Sequence, residues 1–139
     1  MIIIYYIIAL MQRRSDDAMK ILTAGLKPIY RQIAAGIEDD ILNEVLKPYE
    51  QAYSQYQMAR EFGINPATAS KGLNLLLEAG ILFKKRGIGM FVTEEAAGII
   101  KERRKEEFFS TVLREMLLEA DKLKISKKEI IDKINMAKE

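Results

Sequence analysis

The sequence predicts a mostly α-helical fold with one small β-hairpin. Isoleucine recurs every four residues from Ile29 to Ile41, which is typical of the buried stripe of a helix. Two more apolar-periodic segments, 55–62 and 66–79, are separated by a short turn that contains glycine, and a basic segment at 84–89 lies between two short apolar runs. Elements in this order form a winged helix-turn-helix, and the charged remainder predicts a C-terminal helical hairpin.

The composition argues against most catalytic and metal-binding proteins. The chain has 139 residues, 49% of them apolar, and contains neither cysteine nor histidine. Thiolate metal sites, most zinc sites and Ser-His or Cys-His nucleophile pairs are therefore excluded. We predict no metal, no cofactor and no catalytic residue. A carboxylate-dependent enzyme is the remaining catalytic alternative, but no convergent pair of acids supports it.

Residues 1–25 are predicted to be an N-terminal extension of unclear role. The apolar run MIIIYYIIALM is shorter than the roughly 20 residues of a membrane-spanning helix. Arg13 and Arg14 follow the run, whereas a signal peptide has its basic residues first. The run is interpreted as a strand or short helix that packs on the body or on a second subunit. A membrane-associating tail and an extension without a role are the alternatives. We expect a cytoplasmic protein without membrane insertion.

Helix start and stop signals define the domain at 26–93. Pro28 suits the first turn of a helix over 28–43, which ends before Pro48. A tyrosine-rich loop follows, and Ser54 to Gln57 has the form of a capping box. The short second helix, 55–62, stops at a glycine, and the third helix, 66–79, begins after the N-cap Asn65. Two helices joined by such a tight turn predict a helix-turn-helix.

The third helix carries small polar residues on the side opposite its leucines. In a helix-turn-helix, the second helix of the pair enters the major groove of DNA. Thr68 and Ser70 can bond phosphates or base edges, Asn74 can pair with adenine, and Lys71 can reach phosphate or guanine. A helical hairpin with a solvated face is the alternative when this segment is taken alone.

The segment after the third helix favours DNA binding. Residues 81–83 and 90–93 are predicted strands, joined by a basic turn at 84–89 with two glycines. Such a wing, at 84–90, can lie along the DNA backbone or enter the minor groove, with Lys85 and Arg86 near phosphates. We therefore predict double-stranded DNA as the partner.

Residues 94–139 are predicted to be a helical dimerisation tail. Apolar residues recur there at spacings of three and four, and Ser126 to Glu129 forms a second capping box. A second copy of the chain is the simplest cover for the apolar face, and folding back on its own domain is the alternative. The tail leaves little room for a small-molecule pocket, so no effector is predicted. The dimerisation residues are predicted to be Phe108, Phe109, Val112 and Met116.

The chain resembles the GntR family of bacterial transcription regulators, and within it the YtrA-like subfamily with a short helical tail. The similarity covers residues 20–93 well and the tail by size and pattern. It rests on the stretches KPIYRQI (27–33), LKP (46–48), MAREFGINPAT (58–68), LLEAGIL (76–82) and RGIGMFV (86–92).

The resemblance implies a homodimer that binds a short inverted repeat. Contacts would come from the start of the second helix, the beginning of the third helix, and the wing tip. By position, these are Ser54, Gln55, Tyr56, Asn65, Ala67, Thr68, Ser70, Lys71, Arg86, Gly87, Ile88 and Gly89.

Five positions depart from the pattern of the family. Tyr49 stands where glycine is usual, Ala52-Tyr53 replaces leucine-proline, and Tyr56 and Ser70 each replace a frequent arginine. Losing two cations should weaken phosphate anchoring and flatten the salt dependence of binding. The tyrosines are interpreted either as phosphate-binding hydroxyls or as groups that fill a gap in the core.

The sequence thus predicts a dimeric, sequence-specific DNA-binding transcriptional repressor that binds an inverted-repeat operator through the helix at 66–79 and the wing at 84–90. The alternative is a winged-helix protein-interaction module whose specific DNA binding is weak or lost.

Overall fold

The structure, a computed structural model, describes residues 27–137. The predicted N-terminal extension, 1–25, lies outside the described residues. The described chain contains two compact units, the first extending to Lys101 and the second beginning at Glu102.

Three helices form the body of the first unit. They are α1 (Ile29–Leu42), α2 (Gln55–Phe62) and α3 (Pro66–Glu78). All three match the predicted helices to within one residue at each end. The predicted stripe of α1 is confirmed, since Ile33, Ile37 and Ile41 are buried.

Side-chain caps set the limits of α2 and α3. The Ser54 hydroxyl accepts a hydrogen bond from the backbone N–H of Gln57 at 3.1 Å, and the Gln57 side chain accepts from the Ser54 N–H at 2.9 Å. Gly63 ends α2 with a φ of 65°, in the left-handed conformation that glycine adopts without a steric penalty. The Asn65 side-chain oxygen then accepts from the Ala67 N–H at 2.9 Å and starts α3.

The hairpin turn is shorter than the sequence predicts. Strands β1 (Leu82–Lys85) and β2 (Gly89–Val92) pair antiparallel, with Lys85 opposite Gly89. The turn is therefore 86–88, and the two lysines predicted in it lie on β1 instead. The turn is closed by a hydrogen bond of 3.0 Å from the Ile88 N–H to the Lys85 carbonyl, with Gly87 at a φ of 77°.

The tyrosine-rich loop pairs with the hairpin, which the sequence did not predict. The Tyr49 N–H donates to the Val92 carbonyl at 2.8 Å, and the Ala52 N–H donates to the Met90 carbonyl at 2.9 Å. The Val92 N–H donates in return to the Glu50 carbonyl at 3.0 Å. This segment thereby protects the outer edge of β2, whose backbone groups would otherwise be left unpaired.

The tail is helical, as predicted, with one irregularity. It contains α4 (Ala96–Glu107), a π-helical segment (Phe108–Val112), α5 (Leu113–Lys122) and α6 (Lys127–Met136). The predicted capping box opens α6, since the Ser126 N–H donates to the Glu129 carboxylate at 2.8 Å. The π-helical segment was not predicted, and it contains three of the four predicted dimerisation residues. Short π segments of this kind are frequent at functional sites.

One apolar core holds the first unit together. Leu73 and Leu76 of α3 pack with Ile37 of α1, Ile81 before the hairpin, and Ile100 of α4. Fully burying each of these side chains stabilises the fold by roughly 1.5–3 kcal/mol. Because α4 begins in this core, its first turns belong structurally to the winged unit.

Gly72 lets α1 and α3 approach closely. A Cβ atom at Gly72 would lie 2.7 Å from the Tyr30 carbonyl oxygen and 3.2 Å from the Ile33 side chain. Any larger residue would therefore push the two helices apart.

Within residues 27–137, no helix is long and apolar enough to cross a membrane. The same residues contain no cluster of three or more acidic side chains arranged to hold a metal ion.

Two glycine-to-alanine substitutions should have opposite effects on stability. Gly72→Ala should lower the free energy of unfolding by about 1 kcal/mol or more, because the strain of overpacking exceeds the gain in helix propensity. Gly98→Ala, in α4 where nothing lies within 4 Å of the added Cβ, should raise it by roughly 0.5–1 kcal/mol. Urea denaturation of both variants measures the difference. Equal shifts of the same sign would contradict the close approach at Gly72.

Candidate nucleic-acid interface

The outer face of α3 gathers the predicted groove-binding side chains. Ala67, Lys71 and Asn74 are exposed, and Thr68 and Ser70 are half-buried beside them. The opposite face of α3 is buried in the core. The side chains near the start of this face are thus small, and those further along include one cation and one amide. Small side chains allow the helix to come close to a DNA groove.

The caps leave hydrogen-bond donors at the starts of α2 and α3. Ser54 and Asn65 each use an oxygen to accept from their own helix. The hydroxyl proton of Ser54 and the amide protons of Asn65 take no part in these caps. Such donors match phosphate oxygens, and the positive end of the helix dipole favours an anion at the same place.

The first two residues of α2 differ in exposure. Gln55 is half-buried, whereas the Tyr56 side chain is 70% exposed. Tyr56 therefore presents an aromatic ring and a hydroxyl where relatives in the resembling family frequently have arginine. A phenol can donate a hydrogen bond to phosphate but brings no charge.

Lys71 is held by an aromatic ring of α1. Its ammonium nitrogen lies 4.1 Å from the centroid of the Tyr30 ring, within the range of a cation–π interaction. The Arg31 side chain donates to the Tyr30 hydroxyl at 3.3 Å. This hydrogen bond lowers the pKa of Tyr30 below its ordinary value, and the charge of Lys71 acts in the same direction. Two cations, Arg31 and Lys71, therefore lie around the phenol of Tyr30.

The wing carries its cations on β1 and on the turn. Lys85 lies over the Phe91 ring, with its nitrogen 4.5 Å from the ring centroid. Arg86, Gly87 and Ile88 are exposed at the tip, and Gly89 is half-buried behind them. The predicted wing residues therefore lie together, with exposed cations next to the exposed apolar side chain of Ile88.

Gln51 contacts the wing tip through its side chain. Its side-chain amide donates to the Ile88 carbonyl at 3.0 Å. A Cβ atom at Gly89 would lie 2.5 Å from the same amide nitrogen, so only glycine leaves room for this contact. Gly89 also has a φ of 147°, which disfavours any side chain.

Thr93 joins the base of the wing to the end of α3. Its hydroxyl lies 2.7 Å from the Gly80 carbonyl and 3.2 Å from the Ile81 carbonyl. Its backbone N–H donates to the Ile81 carbonyl at 3.0 Å. The base of the wing is consequently connected to the turn that follows α3.

The structure distinguishes the roles of the loop tyrosines. Tyr53 packs edge-on against Phe62, with ring centroids 5.7 Å apart, and so extends the core. The Tyr49 hydroxyl donates to Glu94 at 3.0 Å, and this hydrogen bond raises the pKa of Tyr49. Tyr49 has a φ of 67°, which explains why glycine suits this position. All three tyrosines are exposed, and Tyr56, which is 70% exposed, is more so than Tyr49 at 61% and Tyr53 at 40%.

Sequence reasoning missed three residues of this surface. Tyr30 and Arg31 appeared only as part of a motif, and Gln51 only as part of a loop. Their roles depend on contacts between distant segments: α1 with α3, and the loop with the wing. The one local signal was the glycine pair flanking Ile88, which indicates close backbone approach at the tip.

The predicted dimerisation residues lie outside this surface, in the tail. Phe108, Phe109, Val112 and Met116 are all exposed, and Phe109 is 62% exposed. The two phenylalanine rings contact each other edge to face, with centroids 5.4 Å apart. The tail thus carries four exposed apolar residues, two of which are in contact, and we call these four residues the tail patch.

Together, the fold and this surface define a winged helix-turn-helix protein. No family model matches the chain. The HTH-type transcriptional regulator YhcF of Bacillus subtilis (strain 168) is 30% identical over 108 residues, covering 78% of this chain and 88% of YhcF. YtrA, an HTH-type transcriptional repressor of the same strain, is 29% identical over 93 residues, or 67% of this chain and 71% of YtrA.

A longer relative matches over about half of this chain. The mannosyl-D-glycerate transport/metabolism system repressor MngR of Escherichia coli (strain K12) is 38% identical over 71 residues. The match covers 51% of this chain and only 30% of MngR.

A solved structure is similar over most of the chain. A transcriptional regulator of the GntR family from Bacteroides thetaiotaomicron superposes with a TM-score of 0.65 at 32% identity, covering 78% of this chain and 95% of that one. The chain belongs to the GntR family of transcriptional regulators. Proteins of this class are not enzymes, in agreement with the sequence-based prediction.

The strain at Tyr49 can be measured with two substitutions. Tyr49→Ala and Tyr49→Gly both remove the hydrogen bond to Glu94, so they differ in the strain of the left-handed backbone and in the conformational entropy of the unfolded chain. The glycine variant should be more stable by roughly 1 kcal/mol, because alanine is disfavoured at positive φ. Thermal and urea denaturation of the pair give this difference. A more stable alanine variant would contradict the left-handed conformation.

Proposed function

We propose that this protein is a dimeric, sequence-specific DNA-binding transcriptional repressor that recognises an inverted repeat. The observation that carries the proposal is the exposed polar face of α3 beside a cation-bearing wing. MngR and YtrA are both named repressors, which supports the direction of regulation. A repressor acts on the chromosome, and we accordingly propose a cytoplasmic location.

In this proposal α3 lies in the major groove. Its exposed side carries no bulky residue near the start, so the backbone can come close to the bases. Asn74 can form two hydrogen bonds with adenine, and Thr68 and Ser70 can reach phosphates or base edges. Lys71 is directed by its contact with Tyr30, which lowers the entropy lost when it binds.

The start of α2 and the wing hold the backbone on either side of α3. Ser54, Gln55, Tyr56 and Asn65 present donors at two helix starts, where the dipole favours a phosphate. Lys85 and Arg86 bring charge to the wing. These contacts set the register of the protein on DNA, whereas α3 supplies the sequence readout.

The tail patch is proposed to pair with the same patch of a second copy. Covering the exposed phenylalanines removes their apolar surface from water. This stabilises the interface by roughly 25 cal/mol per Å² of buried apolar area. A two-fold interface uses the same surface on both copies and so needs no other partner. Two winged units related in this way would read two half-sites, which explains the expected inverted repeat.

The proposal is tested by fluorescence anisotropy of the full chain on duplexes from its own upstream region and on scrambled duplexes. A regulator of this kind should prefer one inverted repeat by about 10³-fold or more, and should lose affinity steeply with salt. Weak and equal binding to all duplexes would instead support a protein-interaction module.

Removing single cations should identify the DNA-binding surface. Lys71→Ala and Arg86→Ala should each weaken operator binding by roughly 10-fold, because each removes one contact to phosphate or base. A lost phosphate contact should also reduce the slope of log K against log salt by about 0.9.

Lys133→Ala is the matched control, since it removes an exposed lysine from α6 of the tail. Its affinity and salt slope should equal those of the unmodified protein. If all three variants bind equally well, α3 and the wing are not the DNA-binding surface.

A charge in the tail patch should separate the dimer. Phe109→Glu should shift the protein to monomer in sedimentation equilibrium, because a carboxylate would be buried without a partner. Val45→Glu adds the same charge at another exposed apolar position, in the winged unit, and should leave the dimer intact. A Phe109→Glu protein that stays dimeric would place the interface elsewhere.

A further inference from the structure

The wing tip carries an exposed apolar residue, Ile88, in a basic setting. Its side chain is 64% exposed, with Arg86 two residues before it and a glycine on each side. A single exposed apolar residue needs no special explanation by itself. What distinguishes Ile88 is how its backbone is bonded.

Both backbone polar groups of Ile88 are engaged within the protein. Its N–H donates to the Lys85 carbonyl at 3.0 Å, and its carbonyl accepts from the Gln51 side chain at 3.0 Å. The tip therefore has little need of hydrogen bonds from a partner at this residue. What Ile88 presents outward is its branched hydrocarbon side chain.

The tip is also rigidly supported. Gln51 belongs to the segment that pairs with β2 through the Tyr49 and Ala52 backbone N–H groups. Gly89 leaves space for the Gln51 amide, and Ile88 is β-branched, so its side chain has few rotamers. An apolar group held this way loses little entropy when it enters a narrow groove.

We propose that Ile88 is a specificity-determining wedge that enters the minor groove and selects base pairs without a guanine amino group. The inference rests on the proposed function and adds to it the group on the base pair that the wing recognises. In the minor groove, A·T pairs display acceptors only, whereas G·C pairs add the N2 amino donor of guanine. Hydrocarbon placed over this donor removes its water and offers no acceptor in exchange.

The charges beside Ile88 favour this placement over a contact along the backbone alone. Lys84, Lys85 and Arg86 are exposed around the tip, where they can reach the phosphates on both sides of the groove. Narrow minor grooves of A·T-rich DNA have an enhanced negative potential that attracts such cations. Apolar wedges between base steps are a recurrent device of minor-groove binding proteins.

The test adds or removes the minor-groove amino group while the major groove stays the same. A binding duplex is first selected with the full chain from a pool of random duplexes. Each G·C pair is then replaced by inosine·C, which lacks the N2 amino group, and each A·T pair by 2,6-diaminopurine·T, which adds one. The major-groove pattern is unchanged by either replacement.

At one step in each half-site, the added amino group should weaken binding by roughly 10-fold, the cost of one unsatisfied buried donor. In Ile88→Ala this penalty should fall below about 2-fold, because the hydrocarbon no longer covers the donor. Ile88→Asn should abolish or reverse the penalty, since its amide oxygen can accept from N2. Val45→Ala, another exposed apolar residue, should keep the full penalty.

The outcomes distinguish this inference from the proposed function. A selected duplex that is insensitive to the amino group at every position would overturn the wedge and leave specific DNA binding standing. The same holds if Ile88→Ala keeps the full penalty, because the preference would then come from DNA shape. Failure to select any duplex would overturn both.

Discussion

The winged unit depends on the close approach of α1 and α3 at Gly72. Without a side chain there, the α3 backbone packs directly against the Tyr30 carbonyl and the Ile33 side chain. This contact fixes how closely the buried side of α3, which is set by its apolar residues, approaches α1. It also brings the Tyr30 ring under Lys71, so one packing contact both stabilises the core and positions a cation of the candidate interface.

Features governed by neighbouring residues could be predicted from the sequence. The caps at Ser54, Asn65 and Ser126 and the glycine at position 63 each work within one helical turn, and all of them are present. Because caps define where helices start and stop, the three helices of the first unit were predicted nearly to the residue. The buried and outward faces of α3 followed from simple helical spacing.

Features governed by distant contacts could not be predicted in this way. The loop from Tyr49 to Ala52 shows no alternation of apolar and polar residues, yet it pairs with β2 because the fold brings it there. The contacts of Lys71 with Tyr30 and of Gln51 with Ile88 join segments that are far apart in sequence. The hairpin turn was predicted too long because lysines were assigned to the loop by their charge, whereas backbone pairing places them on β1.

The contacts of Thr93 with the Gly80 and Ile81 carbonyls connect the base of the wing to the segment that follows α3. The wing and α3, which are the two proposed DNA-binding elements, are thereby held together. In the proposed complex, binding of α3 would present the wing to its part of the DNA at a high effective concentration. The free energies of the two contacts are then coupled. If the proposed interface is correct, loosening the Thr93 contacts would lower affinity for DNA even though every side chain of that interface remained in place.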